Sequence, residues 1–416
     1  MTSPAGASAR TIRWLTYAMF LMFAMTTDSV GVIIPRLIED YDLGLTAAGA
    51  FHYATMAGIA LAGLGLGFLA DRLGRKTALL LGLGSFGAAS LGFLAGDAFM
   101  AFVVLLFVSG LAIGVFKTAA IALIGDISAT TREHTTTMNL VEGFFGVGAI
   151  IGPAIVTLLL AEGLSWKGVY VLAGAMSLVL VLGATLVRYP QPTRLETPPR
   201  MSAALGLMRD PYVMGFSTAA MLYVGVETAI YVWMPTFLQG YDGSWTLLAA
   251  YALSAFFVLR AAGRFLGAWL LSRLRWTWVL AVCTVLILVC FLGALIGGRD
   301  AAVWLLPASG LFMSVIYPTV NSKGVSAYPR SEHGAVAGVI LFFTAVSAVV
   351  APLAMGAVSD LFGGPLYGFI LATVLAALLA VGAVLNALFD PAGPRLAAAE
   401  IAPITDTGGA PLDGPA

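Results

Sequence analysis

Long apolar blocks alternate with short polar segments along the whole chain. A helix crosses a bilayer with about 20 predominantly apolar residues. Twelve blocks qualify, at 14–35, 47–70, 77–95, 99–124, 138–161 and 167–187, then 211–238, 246–271, 276–297, 301–324, 334–358 and 365–388. The first is too long for a signal-peptide core, and no soluble domain follows it, so it counts as a span. The pattern predicts an all-α membrane protein of twelve transmembrane helices, in two six-helix halves around a central cavity.

The halves repeat one another. Pro35, Tyr41 and Asp42 recur as Pro235, Tyr241 and Asp242, and Gly67 as Gly267. Ser109-Gly110-Leu111 recurs as Ser309-Gly310-Leu311, while Glu133-His134 and Pro153 return one residue sooner as Glu332-His333 and Pro352. Two similar halves can rock about a site between them and expose it to one side at a time. The halves are residues 1–195 and 196–390, with 196–210 as a cytoplasmic linker in a Pro-rich stretch. Residues 391–416, rich in Pro, Gly and Ala, read as a disordered cytoplasmic tail.

Composition agrees with a membrane class. The chain is 60% hydrophobic and 10% charged, against about 25% charged for soluble domains. Net charge is zero, so nothing points to nucleic acid. Three His and two Cys leave little for a metal, and no cofactor is expected. Cys283 and Cys290 read as thiols packed inside one span. No G-x-S-x-G, H-E-x-x-H or Walker loop suggests an enzyme. Lys and Arg set the orientation. Only Arg36, Lys167 and Arg299 fall in outer loops, and Lys117, Arg260, Arg264 and Lys323 lie in spans. The remaining bases sit on the side of both termini, which places that side in the cytoplasm.

A charge at the bilayer centre costs about 2.5–3.5 kcal/mol, so charges inside spans should face a wet cavity or one another. Well inside the spans they are Asp28, Lys117, Glu142, Glu227, Arg260 and Arg264, with Lys323 at the inner end of span 10. Spans 3, 6, 9 and 12 carry none. Tyr223, Glu227 and Tyr231 share one helical face, as do Asn139, Glu142 and Gly146, and Tyr317 with Asn321. Tyr317 is the repeat partner of Lys117. An acid between aromatics suits a polyhydroxylated ligand, and the same acid could carry a proton.

Gly67-Phe68-Leu69-Ala70-Asp71-Arg72-Leu73-Gly74-Arg75-Lys76 lies between spans 2 and 3. It resembles the signature loop of the major facilitator superfamily at every position. The resemblance implies that helices 1, 4, 7 and 10 line the cavity, and that the loop is a gate. Gly67 and Gly74 shape it, Asp71 faces the N-terminus of helix 11, and Arg72, Arg75 and Lys76 pair with acids across the seam. Asp126, Glu133 and Asp360 are the candidate acids.

Three stretches narrow the resemblance. Leu222-Tyr223-Val224-Gly225-Val226-Glu227-Thr228 and Asn139-Leu140-Val141-Glu142-Gly143-Phe144-Phe145-Gly146 are similar to helices 7 and 5 of the fucose–galactose–glucose proton symporter group. Phe312-Met313-Ser314-Val315-Ile316-Tyr317-Pro318-Thr319 resembles helix 10 of its fucose permeases. This implies a monomeric secondary transporter of the bacterial inner membrane, importing a sugar or sugar-like solute with protons. Substrate would meet Glu227, Tyr223, Tyr231, Tyr317, Asn321, Asn139 and Lys117, and protons would use Asp28, Glu142, Glu227 and Lys117. Helix 4 departs from the group: Lys117 stands where it carries an acid, and Gly31 replaces its helix 1 acid. Lys117 is therefore expected to pair with Glu142 or Asp28, or, with Arg260, to bind an anionic substrate such as a sugar acid. Gly148 and Gly152-Pro153, a partial antiporter motif, keep a proton-antiport exporter as a rival. A non-transporting ligand sensor is the least favoured reading.

Overall fold

The computed structural model describes residues 4–65, 73–128, 130–189, 206–329 and 332–401, and these contain helices and no strand. We number the spans α1 (Ala9–Tyr41), α2 (Leu45–Gly63), α3 (Arg75–Ala95), α4 (Phe99–Ile127), α5 (Glu133–Ala161), α6 (Gly168–Leu186), α7 (Pro211–Phe237) and α8 (Ala252–Leu271). The 51-residue run Trp276–Ser326 would reach about 75 Å as one helix, more than twice the hydrocarbon thickness. It breaks at Gly298, whose φ of 65° and ψ of −157° reverse the chain. It is therefore two spans, α9 (276–297) and α10 (299–326), followed by α11 (His333–Phe362) and α12 (Pro365–Phe389). Among the described residues twelve spans result, at the positions the apolar blocks predict.

The repeat is visible in the packing. In the first half α1 packs on α5, α2 on α4 and α3 on α6; in the second, α7 packs on α11, α8 on α10 and α9 on α12. Gly110 lets α4 close onto the backbone of α2 at Thr55, and its repeat partner Gly310 does the same against Phe256 of α8. The outer surface is apolar, with Leu186, Ile296 and Phe265 more than four-fifths exposed. Such a belt belongs against lipid.

An even number of spans puts the two ends of the described residues, Pro4 and Ile401, on one face of the bundle, the terminal face; the other is the distal face. Hydrogen bonds between the halves cluster toward the distal face. Thr157 and Ser254 hydroxyls donate to the carbonyls of Ala250 and Ile150, joining α5 to α8 and to the short helix Thr246–Ala250 before it. Gln239 donates to Glu39 at 2.7 Å. His52 Nε2 lies 3.0 Å from the Ala348 carbonyl, and Tyr53 donates to that of Pro352. Asp360 accepts from the amides of Leu45 and Thr46 at 2.7 and 2.8 Å, capping the short helix Leu45–Ala48 from the opposite half. Gly31 of α1 meets its own repeat partner: a Cβ there would overlap the Tyr231 carbonyl oxygen and lie 3.0 Å from its carbon. The distal face is closed.

Several expectations need correction. Asp360 was a candidate acid for the loop between α2 and α3, yet it lies at the far end of α11, because that helix crosses the whole bundle. Gly67, Asp71 and Arg72 lie outside the described residues. Gly74 takes a φ of 85° ahead of α3. Arg75 pairs with Asp126 of α4 at 3.2 Å, inside the first half. Lys76 likewise donates to the carbonyls of Thr185 and Val187 beyond α6, and Glu133 pairs with Arg13 of α1.

The tail also differs from expectation. Gly393–Ile401 is a helix rather than disordered. Leu396 is buried, and Arg395 is clasped between the rings of Tyr212 and Tyr328 while pairing with Asp210 at 3.1 Å. Residues 402–416 and 190–205 lie outside the described residues.

Candidate functional site

Two of the helices that bear charge, α1 and α7, lose regularity. The two helical stretches of α1, Pro4–Thr27 and Val30–Tyr41, flank a turn at Asp28-Ser29. In the repeat-related part of α7, Ala229–Trp233 winds as a π-helix. Pro235 offers no N–H, so the Tyr231 carbonyl has no i+4 donor and the winding slips. Such π segments recur at functional sites. The turn carries Asp28, and the π segment carries Tyr231 just past Glu227.

Glu227 is the centre of the site. Its side chain is 9% exposed, and Arg260 of α8 reaches it at 2.6 Å. The Tyr223 hydroxyl donates to the same carboxylate oxygen at 2.8 Å. Tyr223 also stacks on Tyr317 of α10, ring centroids 6.4 Å apart. The i, i+4 spacing read from the sequence therefore does bring Tyr223 to Glu227. The buried Nε of Arg260 has no hydrogen-bond partner among the described residues.

Glu142 of α5 and Arg264 of α8 approach to 3.9 Å, across the seam between the halves. Side-chain exposure falls along this line, from 49% at Glu142 and 39% at Arg264 to 22% at Arg260 and 9% at Glu227. Since α8 runs toward the terminal face from Arg260 to Arg264, water reaches the site from that face. The arrangement is terminal-side open and distal-side closed.

The expected pairing of Lys117 with Glu142 or Asp28 is not formed. Among the described residues Lys117 makes no ion pair: its ammonium lies 5.7 Å from the ring centre of Phe23 and 6.0 Å from that of Phe20. Glu142 is instead drawn to Arg264. Asp28 accepts from Thr27 at 3.0 Å and feels the charges of Arg260, Glu227 and Lys117. The site thus holds three acids and three bases, with two pairs satisfied and Lys117 and Asp28 left over.

The other expected residues spread around this centre. Tyr231 packs against His52 of α2, centroids 5.4 Å apart, on the distal side. Asn321 is half-buried in α10, and Asn139 is exposed in α5 toward the terminal face. Neither Asn side chain makes a hydrogen bond among the described residues, so both are available to a ligand. Sequence reasoning missed Glu227's partner. Arg260 was legible as a charge inside a span, but which acid it met depended on how α7 and α8 rotate. His52 was missed altogether; a lone His in an apolar block was its signal. No metal-binding cluster of His, Cys, Asp or Glu occurs among the described residues.

Known proteins fit this geometry. The chain is 25% identical to the gallate transporter of Pseudomonas putida over 86% of its length and 87% of that protein's. It is 24% identical to the L-fucose-proton symporter of Escherichia coli K12, over 84% and 87%. Among solved structures, a bacterial homologue of the human lysosomal transporter Spinster superposes with a TM-score of 0.70 at 15% identity, covering 96% of this chain and 98% of that one. The family model of the Major Facilitator Superfamily matches residues 16–352. The protein is a multi-pass membrane transporter rather than an enzyme, and it belongs to the Major Facilitator Superfamily.

Proposed function

We propose that this transporter carries a small hydroxylated carboxylate by alternating access, with proton coupling. The observation that carries the proposal is Lys117, an ammonium in the cavity wall with no carboxylate of its own. A cation at that depth costs about 2.5–3.5 kcal/mol, which a substrate anion would offset. Glu227, Tyr231, Tyr317, Asn321 and Asn139 then receive hydroxyl groups. Gallate combines a carboxylate with hydroxyls, whereas fucose has hydroxyls alone, and an amine in place of an acid on α4 favours the former chemistry.

Asp28 is the coupling group in this scheme. It lies in the field of Lys117, so its protonation removes a competing negative charge and strengthens the pull on a carboxylate. Glu142 with Arg264 forms a seam contact that must break or tighten as the halves rock. The loop from Gly67 to Lys76 gates the terminal side, which the distribution of Lys and Arg assigns to the cytoplasm. A carboxylate carried inward with one proton moves no net charge, so the pH gradient drives its uptake, at about 1.4 kcal/mol per pH unit.

The test is counterflow in proteoliposomes under an imposed pH gradient, with neutral sugars, sugar acids and hydroxybenzoates as the panel. A carboxylate should drive exchange, and Lys117→Met should abolish it. Exchange by a neutral sugar but by no carboxylate would overturn the proposal, as would full carboxylate uptake by Lys117→Met.

A further inference from the structure

A second cavity, of about 770 Å³, lies away from the charged site, between α7, α9 and α12 with α10 behind it. Its walls are apolar, formed by residues such as Phe216, Ala219, Leu222, Leu280 and Leu379. Along α7 the lining runs from Pro211 to Leu222, a depth of about 16 Å at 1.5 Å per residue. One leaflet of a bilayer core about 30 Å thick has that depth. Polar and interfacial groups, Tyr212, Trp276 and Asn386, belong to the terminal-face end.

We infer that this crevice holds an acyl chain of an anionic phospholipid from the leaflet at the terminal face. The charges at its mouth select the headgroup. Arg209 stands two residues before the crevice and is exposed; Arg275 immediately precedes Trp276 and its side chain is 64% exposed. Asp390 takes Arg275 at 2.8 Å and Asp210 takes Arg395 at 3.1 Å. Arg209 and Arg273 then leave a net positive mouth. Basic pockets between helices on that side attract anionic headgroups. The other candidate occupants fit poorly. A carboxylate substrate would lose its solvation among these walls, and a peptide would bring backbone groups that they cannot satisfy.

The deep end of the crevice has a consequence for transport. Leu222 and Ile316 line it, and the next residues along the chain, Tyr223 and Tyr317, are the stacked pair of the central site. A chain seated here packs behind the cavity wall and braces α7 against α10.

Native mass spectrometry of the full chain tests the inference, with phosphatidylglycerol and phosphatidylethanolamine offered at equal concentration. Wild type should retain phosphatidylglycerol about thirtyfold over phosphatidylethanolamine, the selectivity expected of two arginines. Arg209→Gln with Arg273→Gln, both exposed, should lose that preference. Gly215 and Gly382 line the crevice, and a Cβ at either meets nothing within 4 Å. Gly215→Leu with Gly382→Leu should therefore fill it, abolish the adduct and remove the rise in melting temperature that added phosphatidylglycerol gives wild type. Equal retention of both lipids by wild type overturns the inference, and so does undiminished binding in the filled variant. Should the filled variant fail to fold, the exposed arginine pair still decides the matter.

Discussion

Gly31 is the place where one added methyl group should change the resting conformation. It faces its repeat partner, so α1 and α7 meet close to the axis that relates the halves. A Cβ there would overlap the Tyr231 carbonyl oxygen, lie 3.0 Å from its carbon and 3.2 Å from the Val232 oxygen. Carbon contacts settle near 3.5 Å or beyond, so the helices must part by roughly 1 Å. The obstruction is backbone held by the π segment, not a side chain that can swing away. Overpacking of this kind costs about 1–3 kcal/mol, and only the distal-closed form bears it. The population should therefore move toward the distal-open form by about 5- to 150-fold. The assay is a distance measurement between spin labels at Leu164→Cys and Leu247→Cys, exposed distal positions on opposite halves, with Cys283 and Cys290 replaced by Ala. Gly31→Ala should lengthen the distal distance, and Gly31→Val should lengthen it further. An unchanged distribution in both variants, with wild-type melting temperature, would refute the reasoning.

Three further outcomes follow from the same contacts. Asp360→Ala removes the cap on Leu45 and Thr46, worth about 0.5–2 kcal/mol, and should shift the same spin-label distance in the same direction. Arg260→Met leaves Glu227 buried and unpaired, at a cost of about 3–5 kcal/mol. The melting temperature should fall sharply, and Arg260→Met with Glu227→Met should recover most of it while still failing to transport; a stable single variant would contradict the pairing. Burial pushes the Asp210 carboxyl up, but the Tyr328 hydroxyl, the Tyr212 amide and Arg395 hold it below the ordinary carboxylate range. Its contribution is therefore intact above the unfolded value near pH 4 and is lost as pH falls through the depressed folded value. Hydrogen exchange at Arg395 and Leu396 should accelerate over that acid range, and in Asp210→Asn it should be fast and independent of pH.

The sequence by itself determined the spans and where they fall along the chain. Every apolar block became a helix, because backbone groups in hydrocarbon have no partners except those of the helix itself. It also marked which helices surround the cavity, since Asp28, Lys117, Glu142, Glu227, Arg260 and Arg264 are too costly to face lipid. Local spacing was enough for Tyr223 to find Glu227, four residues away on one helix. What the tertiary structure decided is pairing between helices. Arg260 meets the central acid, Arg264 takes Glu142, Arg75 takes Asp126, and Lys76 takes the carbonyls of Thr185 and Val187. Asp360 serves the distal face because its helix carries it there. These choices depend on how each helix is rotated and how far it slides against its neighbours. Apolar packing fixes both across many contacts, and the linear order of charges does not encode them.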